Sequence, residues 1–193
     1  MEVKILAWTH SPADLIATAA GTCYGKDDPS VKRVERCYKA RHMGVFEHAS
    51  VTFRIEGISR ACSHQLVRHR MASYNQRSQR YCKEGNDYGQ VVPASVKDMG
   101  FEAEFGLHSA ACLELYRKMV TAGVPAEDAR YILPQAGVTD IVVTMNVREF
   151  YHFLGLRADK HAQWEIRDLA FEMAKRVKEI DDQWAQLVDL WEN

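Results

Sequence analysis

One stretch of the sequence, Arg68–Tyr81, constrains the fold more than any other, because it cannot be part of a hydrophobic core. Its fourteen residues include four arginines, and Met71 and Ala72 are its only purely apolar positions. Guanidinium groups are rarely buried without a partner, because removing a charge from water costs a large free energy. We therefore expect the stretch to lie at the surface or to line a ligand site, with the core built from the segments on either side.

The positive charge extends beyond this stretch. No acidic residue occurs between Glu56 and Glu84, whereas that interval contains six basic residues: Arg60, Arg68, Arg70, Arg77, Arg80 and Lys83. The formal net charge of the chain is -1, so the rest of the chain is mildly acidic. A positive island on an acidic background indicates a local site for an anionic ligand, because proteins that coat nucleic acid are more often basic over their whole length.

Length and composition are those of one globular domain. The chain has 193 residues, of which 47% are hydrophobic and 26% are charged, which is enough for one sizeable core and too little for two. We therefore predict a single domain over residues 1–193. No segment approaches the roughly 20 uncharged apolar residues of a membrane span, and the N-terminus is too charged for a signal peptide, so we expect a cytoplasmic location without membrane association.

The cysteines and the known short motifs exclude several classes of site. The five cysteines are widely spaced and include no Cys-x-x-Cys pair, which argues against a disulfide framework and against a zinc knuckle. No His-Glu-x-x-His motif is present, so no metal site is predicted. The absence of Gly-x-Gly-x-x-Gly, P-loop and Gly-x-Ser-x-Gly motifs leaves a Rossmann-type pyrophosphate site and a serine nucleophile without support.

Alternation and β-branched residues predict three strands. Val3–Trp8 is typical of a buried first strand and His48–Ile55 of a half-buried strand, while Val138–Val147 carries the strongest strand signal in the chain. Ser73–Tyr81 is expected to be an ordered loop or an edge strand. Interleaved with helices, these strands indicate an α+β or α/β class, and the pattern alone does not decide between the two.

Helical periodicity predicts the remaining elements. A helix from about Ser59 leads into the arginine stretch, and at about 100° per residue it would place Arg68 and Arg70 about 200° apart, on opposite flanks of its apolar stripe. The longest helix is expected from His161 onward, with an apolar stripe whose end could meet another subunit. The other predicted helices cover residues 12–20, 30–42, 99–122, 126–133 and 148–156, and surface loops are expected at 21–29 and 83–90.

Two groups of polar residues suit an anionic ligand with a planar ring. In the arginine stretch, guanidinium groups donate paired hydrogen bonds to phosphate, Ser73 and Ser78 add hydroxyl donors, and Tyr74 and Tyr81 can stack on a ring. A second group follows the last predicted strand and could converge on one ligand: Asn146, Arg148, His152 and Arg157. Arg130, on an otherwise apolar short helix, is a further candidate.

The order of these residues resembles that of the flavin-dependent thymidylate synthases. The signature of that family is Arg-His-Arg followed seven or eight residues later by serine, and the sequence matches it with Arg68-His69-Arg70 and Ser78. Further blocks in the family's order are Phe46-Glu47-His48, Ala129-Arg130, Asn146-x-Arg148 with His152, Leu156-Arg157, and Ala162–Arg167. The blocks extend from about residue 40 to residue 170, so the resemblance covers essentially the whole chain.

The resemblance implies an α+β fold of the thymidylate synthase-complementing protein type, with a mixed or antiparallel sheet flanked by long helices. It also implies a homotetramer that binds FAD and has active sites shared between subunits. The implied reaction is the conversion of dUMP to dTMP, with 5,10-methylenetetrahydrofolate as carbon donor and NADPH as reductant. No nucleic acid partner is expected.

The resemblance also assigns roles to individual residues. It implies that Arg157 contacts the uracil and favours ionisation at N3, and that His48 lies near the flavin ring, which makes these two the catalytic candidates. The implied flavin-binding residues are Ser50, Arg68, His69, Arg70, Gln76, Asn146, Arg148 and His152. The implied dUMP-binding residues are Gln65, Arg68, Gln76, Ser78, Gln79, Arg80, Arg130 and Arg157.

The sequence departs from the family pattern at two positions. Many relatives have glutamate in place of Gln76 and glycine in place of Gln79, so we predict that Gln76 acts only through hydrogen bonds. Ser78 is assigned as a phosphate or substrate ligand, since no activating group lies near it in the sequence.

Two other interpretations remain open. The same arginines and tyrosines would serve a single-stranded nucleic-acid or nucleotide-binding module, against which the net charge of -1 and the second arginine group weigh. The other interpretation is that the chain is a degenerate relative that has lost catalysis. The retention of every arginine block weighs against it.

Overall fold

The computed structural model describes residues 1–26, 30–85 and 88–192. In these ranges the strands are β1 (Glu2–Trp8), β2 (Ser50–Ser59), β3 (Ala72–Gln76) and β4 (Val138–Asn146). The α-helices are α1 (Pro12–Thr22), α2 (Val31–Lys39), α3 (Arg60–Leu66), α4 (Ala94–Asp98), α5 (Glu102–Thr121), α6 (Ala126–Ala129), α7 (Val147–Arg157), α8 (Trp164–Lys178) and α9 (Asp182–Glu192). Short 3-10 helices cover Met43–His48 and Arg130–Ile132.

The four strands form one antiparallel sheet in the order β1-β2-β4-β3. Along β2, Val51, Phe53 and Ile55 are fully buried, while the residues between them are partly or wholly exposed. A sheet with one face on a core requires this two-residue alternation. The α+β class is therefore confirmed, as are the half-buried strand predicted at His48–Ile55 and the strand predicted at Val138–Val147.

The chain groups into two compact units. Unit 1 consists of Met1–Ile55, Gln65–Tyr74 and Val142–Asn193, and unit 2 consists of Glu56–His64 and Asn75–Ile141. Unit 1 therefore contains β1 and helices α1, α2, α7, α8 and α9, whereas unit 2 contains α4, α5 and α6. The single domain over residues 1–193 stays a prediction.

Unit 1 has its core around α7 and α8. In α7, Phe150 and Phe153 are fully buried, and α8 packs on α7, α9 and β1. Trp184 of α9 is also buried, and its indole nitrogen donates to the backbone carbonyl of Thr9 at 3.1 Å. The buried positions of α8 recur every three or four residues: Ile166, Leu169, Ala170, Met173 and Val177. This packing fixes α7, the helix that carries most of the second polar group.

Unit 2 contains the longest helix, α5, with 20 residues. In α5 only Ser109 and Tyr116 are buried, and Leu107 is 68% exposed. The hydroxyl of Tyr116 accepts from the backbone N–H of Glu84 at 3.3 Å, and Glu84 is buried. The prediction of a surface loop over residues 83–90 is therefore wrong at Glu84.

The predicted strand Val3–Trp8 exists, but the prediction that it is buried is wrong. Only Val3 is buried, whereas Leu6 is 51% exposed. β1 lies at the edge of the sheet order and is therefore paired on one side only. An apolar run of this kind is compatible with a buried strand or with an exposed edge, and sequence alone does not separate them.

The helix predicted from Ser59 ends earlier than expected, at Leu66. The hydroxyl of Tyr74 reaches two backbone carbonyls beyond that end, those of Leu66 at 2.9 Å and of His69 at 2.8 Å, and so ties down the turn that follows. Arg68 and Arg70 lie in this turn region and not on a helix, so the prediction that they leave opposite flanks of a helical stripe is wrong. The edge strand predicted within Ser73–Tyr81 is confirmed as β3.

One of the two predicted long helices is broken. The helix predicted over residues 99–122 is present as α5, which begins at Glu102, after Gly100 with φ +79. The helix predicted from His161 onward is divided into α8 and α9, and the carboxylate of Asp181 accepts from the Trp184 backbone N–H at 2.9 Å, which caps the start of α9. The longest described helix is consequently α5, and the prediction that it follows His161 is wrong.

The remaining expectations are met in part. The short helices α1, α2, α6 and α7 occur within one to three residues of their predicted limits at most ends, and Arg130–Ile132 continues α6 as a 3-10 turn. Residues 27–29 and 86–87, within the predicted loops 21–29 and 83–90, lie outside the described residues. None of the described helices is long and apolar enough to span a membrane.

Candidate active site

Arg157, at the end of α7 in unit 1, has its guanidinium group held from two sides. Its Nε donates to Nε2 of His69 at 3.0 Å, and Nη2 donates to the backbone carbonyl of Gln65 at 3.3 Å. Within the described ranges its Nη1 has no protein partner. A guanidinium group fixed in this way presents one nitrogen to a ligand in a defined direction.

His69 is the buried group behind this arginine. Its side chain is 2% exposed, and its ring makes edge contacts with the rings of His152 and Phe153 at centroid distances of 5.5 and 5.1 Å. Burial, and after it the positive charges of Arg157 and His152, lower the pKa of His69 from 6.5 to about 4. His69 is therefore a neutral imidazole at neutral pH.

A carboxylate that the sequence reasoning did not identify, Glu149, completes this cluster. Its Oε1 lies 3.4 Å from Nδ1 of His69, and its side chain is buried. Burial raises the pKa of Glu149, and the nearby charges of His152 and Arg148 act in the opposite direction. The backbone N–H of Glu149 donates to Oδ1 of Asn146 at 2.9 Å, so Asn146 is the N-cap of α7.

A groove of about 340 Å³ in unit 1 contains three of the predicted flavin-binding residues. Its lining residues are Glu47, Met71, Asn146, Arg148, Glu149 and His152. Arg148 is exposed and pairs with the carboxylate of Glu47 at 2.5 Å. A ligand in this groove therefore contacts the positive charge of Arg148, the thioether of Met71, the ring of His152 and the amide of Asn146. These groups suit a molecule with both a phosphate and a planar ring.

Arg68, Arg70 and His48, which were also predicted in unit 1, are exposed. Arg68 and Arg70 are exposed, and neither side chain has a hydrogen bond or ion pair within the described residues. His48 is exposed at the end of a 3-10 helix. Ser50 exchanges hydrogen bonds with Thr9 through its backbone, and neither His48 nor Ser50 lines the groove.

Unit 2 contains a second cleft of about 340 Å³, and this cleft is basic. Its lining residues are Arg60, His64, Gln79, Arg130, Tyr131, Leu133, Pro134 and Gln135. The Nη2 atom of Arg60 donates to the carbonyl of Arg77 at 3.1 Å, while its buried Nε has no partner within the described part of the chain. Burial lowers the pKa of Arg60, an effect that the carboxylate of Glu84 opposes.

Gln79 and Gln76 are both engaged by neighbours in unit 2. Gln79 is buried, and its amide donates to Glu84 at 3.2 Å, with Arg77 3.4 Å from the other carboxylate oxygen. The amide nitrogen of Gln76 donates to the hydroxyl groups of Ser63 at 3.0 Å and Thr139 at 3.1 Å. Gln76 and Gln79 thus each have specific polar partners in unit 2.

Arg80 and Ser78 lie at the surface of unit 2. The hydroxyl of Ser78 accepts from the backbone N–H of Arg80 at 3.2 Å, and the Arg80 guanidinium pairs with Glu127 at 2.7 Å. The backbone carbonyl of Glu127 accepts from Nε of Arg130 at 3.1 Å. Glu127 therefore links Arg80 and Arg130, two of the predicted dUMP-binding residues.

The structure brings the predicted residues together in part. Unit 1 assembles Gln65, His69 and Arg157, with His152 against the ring of His69 and with Asn146 and Arg148 in the groove beside it; unit 2 assembles Gln79 with Arg130. The residues of these sites that the sequence reasoning missed include Glu149, Arg60, His64 and Tyr131. Arg60 was visible in the sequence as part of the positive island, and Glu149 follows Asn146, at the end of the predicted strand, by three residues, which is the spacing of a capping box.

The cluster around His69 also contains the donor types of a metal site. Atoms of His69, Glu149 and His152 that could ligate a cation lie within 4.8 Å of one another. The sequence predicts no metal site, because its histidines form neither a His-Glu-x-x-His nor a cysteine-histidine metal pattern.

The sequence matches a known family and its curated members. The model of a family described as "Thymidylate synthase complementing protein" matches residues 4–181. A protein named flavin-dependent thymidylate synthase from Geobacter sulfurreducens is 47% identical, over 93% of this chain and 83% of its own length. Proteins of the same name from Pyrococcus furiosus and Sulfolobus acidocaldarius are 40% and 39% identical, over 97% and 93% of this chain and 85% and 74% of their own lengths.

Proposed function

The chain belongs to the family of thymidylate synthase complementing proteins, the flavin-dependent thymidylate synthases, and from this membership we propose that it converts dUMP to dTMP. The proposed carbon donor is 5,10-methylenetetrahydrofolate, the reductant is NADPH, and the cofactor is FAD. We propose that the enzyme is a cytoplasmic homotetramer. The observation that carries the proposal most strongly is the orientation of Arg157, with one nitrogen left for a ligand.

Arg157 supplies a fixed positive charge at the pyrimidine edge. Carbon C5 of uracil is a weak nucleophile, and it becomes a better one when negative charge that develops on the ring is stabilised. A guanidinium group is a fixed cation and hydrogen-bond donor, so it acts electrostatically and not as an acid. Because His69 and Gln65 occupy Nε and Nη2, the free Nη1 does not have to be reoriented when the ring becomes negative.

The residues of the unit 1 groove fit a flavin nucleotide. Arg68 and Arg70, exposed cations outside the groove lining whose side chains have no partner within the described residues, are suited to hold its phosphates, and Arg148 can join them by exchanging Glu47 for a phosphate oxygen. Asn146, Met71 and His152 offer polar and apolar contacts for a ring system. When bound there, the flavin supplies the hydride-transfer chemistry.

The residues of unit 2 fit the nucleotide phosphate. Arg80 is an exposed donor and Ser78 a half-buried one, and Arg130 lines the basic cleft that also contains Arg60. Arg80 must leave Glu127 to bind a phosphate. This exchange costs little, since both side chains are exposed and water screens their attraction.

The first test is flavin uptake. The purified chain is expected to take up FAD, with an absorption band near roughly 450 nm that follows the protein through gel filtration. With dUMP tritiated at C5, the complete reaction mixture should release tritium to water, because a methyl group replaces that hydrogen. A colourless protein that takes up no FAD when it is offered would instead favour the single-stranded nucleic-acid binder, which a polarisation assay with labelled oligonucleotides would detect.

The second test addresses Arg157. Arg157→Lys and Arg157→Ala should each lower kcat by about a hundredfold or more, because both remove the oriented guanidinium from the pyrimidine. Arg36→Lys on the exposed surface of α2 is the matched control and should retain wild-type kcat. Formation of dTMP at the wild-type rate by either Arg157 variant would refute the role assigned to Arg157.

A further inference from the structure

A buried polar chain lies behind Arg157. Its Nε is 3.0 Å from Nε2 of His69, and on the other side of the same ring Nδ1 is 3.4 Å from Oε1 of Glu149. His69 and Glu149 are both buried, and all three residues belong to unit 1. Two titratable side chains are thus sequestered from water directly behind the cation to which we assign the electrostatic role.

Arg157 determines which nitrogen of His69 carries the proton. A guanidinium group is only a donor, so Nε2 of His69 must offer a lone pair at that 3.0 Å contact. Since the lowered pKa keeps the ring neutral, its single proton is on Nδ1. The resulting Nδ1–H group faces Glu149.

Glu149 is the available acceptor for this proton. Neither Nδ1 of His69 nor Oε1 of Glu149 has another hydrogen-bond partner within the described residues. Their separation of 3.4 Å is slightly beyond the roughly 3.2 Å limit of a formed N–H···O bond, and a small side-chain movement closes it. Buried polar groups are satisfied in nearly all proteins, so each atom is the natural partner of the other.

We propose that Glu149 is a positioning residue for Arg157. By accepting from Nδ1–H of His69, it holds the imidazole in the tautomer whose Nε2 fixes the guanidinium group and keeps Nη1 directed at the ligand. The catalytic part of this inference rests on the proposed function, whereas the tautomer of His69 is independent of it.

The alternative is that the same atoms of His69, Glu149 and His152 bind a metal ion. A cation on Nδ1 of His69 would need the lone pair of that nitrogen and would move the proton to Nε2. Two N–H groups would then face each other between His69 and Arg157. The hydrogen bond from Arg157 therefore disfavours the cation and favours the proton on Nδ1.

The charged and titratable groups that surround His69 define the test. Arg157, Glu149 and His152 face the ring from α7, and the hydroxyl of Tyr74 donates to the backbone carbonyl of His69 from β3. Arg148 acts on Glu149. Substitutions at Glu149 leave the others in place, so a change at His69 can be attributed to this carboxylate.

The first experiment reads the tautomer without using activity. In protein labelled with ¹⁵N-histidine, the two imidazole nitrogens of His69, assigned by their loss in His69→Gln, should show a protonated Nδ1 and an unprotonated Nε2. Glu149→Gln keeps an acceptor oxygen and should preserve this pattern, whereas Glu149→Leu should lose it. A proton on Nε2 in the wild type, or a shift of Nδ1 on addition of one equivalent of Zn²⁺, would overturn the proposal.

The second experiment reads the consequence for catalysis. Glu149→Leu should lower kcat about tenfold or more with a smaller change in the KM for dUMP, because the misaligned arginine acts mainly in the transition state. Glu149→Gln should recover most of that loss. Glu179→Leu, at the exposed end of α8, is the matched control and should behave as the wild type. Equal kcat values for Glu149→Leu and the wild type would contradict the proposal.

A double-mutant cycle separates positioning from general damage to the fold. If Glu149 acts through Arg157, then Glu149→Leu should cost little in the Arg157→Lys background, and the two losses should not multiply. Multiplying losses would assign Glu149 a separate structural role. If the wild type makes no dTMP, the proposed function fails, and the tautomer measurement still decides whether Glu149 fixes His69.

Discussion

The amide group of Gln76 is already hydrogen-bonded within the protein when no ligand is bound. Its nitrogen donates to the buried hydroxyls of Ser63 and Thr139, so only its oxygen is left for a substrate or cofactor. This agrees with the expectation that Gln76 acts only through hydrogen bonds. Ser63 in turn donates its own proton to the carbonyl of Arg60 at 2.9 Å, so the amide joins β3 to α3.

Removing this amide should destabilise the protein measurably. Gln76→Ala leaves two buried hydroxyl oxygens without their donor, and we expect it to lower the free energy of unfolding by about 1–2 kcal/mol. Asn75→Ala, at the exposed neighbouring position of β3, is the control and should change it by less than about 0.5 kcal/mol. Urea unfolding followed by circular dichroism makes the comparison. Equal effects of the two substitutions would show that the amide network contributes nothing.

His69 makes the stability depend on pH. Its pKa falls from 6.5 in the unfolded chain to about 4 in the folded one, so between these values the unfolded chain binds a proton that the folded chain does not. Stability therefore falls as the pH drops below about 6.5, with a contribution of about 1.4 kcal/mol between pH 7.5 and pH 5.5. The raised pKa of Glu149 acts in the opposite sense, because the folded state then takes up a proton at higher pH than the unfolded state.

Urea unfolding at the two pH values checks this assignment. His69→Gln should flatten the pH dependence, and Glu149→Gln should steepen it, because it removes the opposing group. His108→Gln, which changes an exposed histidine on α5, should leave the dependence as in the wild type. If His69→Gln keeps the full wild-type slope, another group is responsible for it.

At the scale of elements, a single backbone angle separates α4 from α5. Gly100 has φ +79, in the left-handed region that a side chain disfavours, although no atom lies within 4 Å of the place a Cβ would occupy. The helix predicted from the sequence begins at Met99, whereas in the structure α5 begins after Gly100, at Glu102. Gly44 also has open space around it but no positive φ.

This contrast predicts different outcomes for two matched substitutions. Gly100→Ala should lower the free energy of unfolding by about 1 kcal/mol, which corresponds to about 2–4 °C in Tm for a chain of this size. Gly44→Ala should be neutral or slightly stabilising, because it reduces the freedom of the unfolded chain without strain. Thermal unfolding measures both. A Gly100→Ala variant that is as stable as Gly44→Ala would show that the angle is not constrained.

At the scale of the whole molecule, the residues implied to bind dUMP are divided between the two units. Gln65, Arg68 and Arg157 belong to unit 1, and Gln76, Ser78, Gln79, Arg80 and Arg130 belong to unit 2. In a homotetramer with shared sites, one group can come from one subunit and the other from its neighbour. Exposed apolar side chains on α5, such as Leu107, are compatible with such contacts.

Mixing two inactive variants tests the shared site. Arg157→Ala and Arg80→Ala are each expected to have little activity, but mixed subunits would form some sites that carry neither substitution. If the two arginines of a site come from different subunits, random reassortment should restore up to about one quarter of the wild-type activity. Gel filtration with light scattering should show four 22.0 kDa chains. No recovery on mixing, after exchange is verified with tagged subunits, would contradict sites shared in this way.

The sequence by itself determined the positive island, the main strands and helices, and the family, whereas His69 and Gln79, within Arg68–Tyr81, are buried in the structure. These properties depend on residue type and local spacing: a run of arginines cannot be buried cheaply, and apolar residues repeat with the period of the element that buries them. The Arg-His-Arg signature is likewise a local pattern.

Only the tertiary structure decided which polar residues meet. Arg157 and His69 are 88 residues apart in the sequence, and no local period indicates that they bond or that Glu149 stands on the other side of the same ring. The contact depends on how α7 packs in unit 1 and on where the turn after α3 is held by Tyr74. Burial then changes the properties of these groups, because water no longer competes for their polar atoms and the pKa of His69 falls.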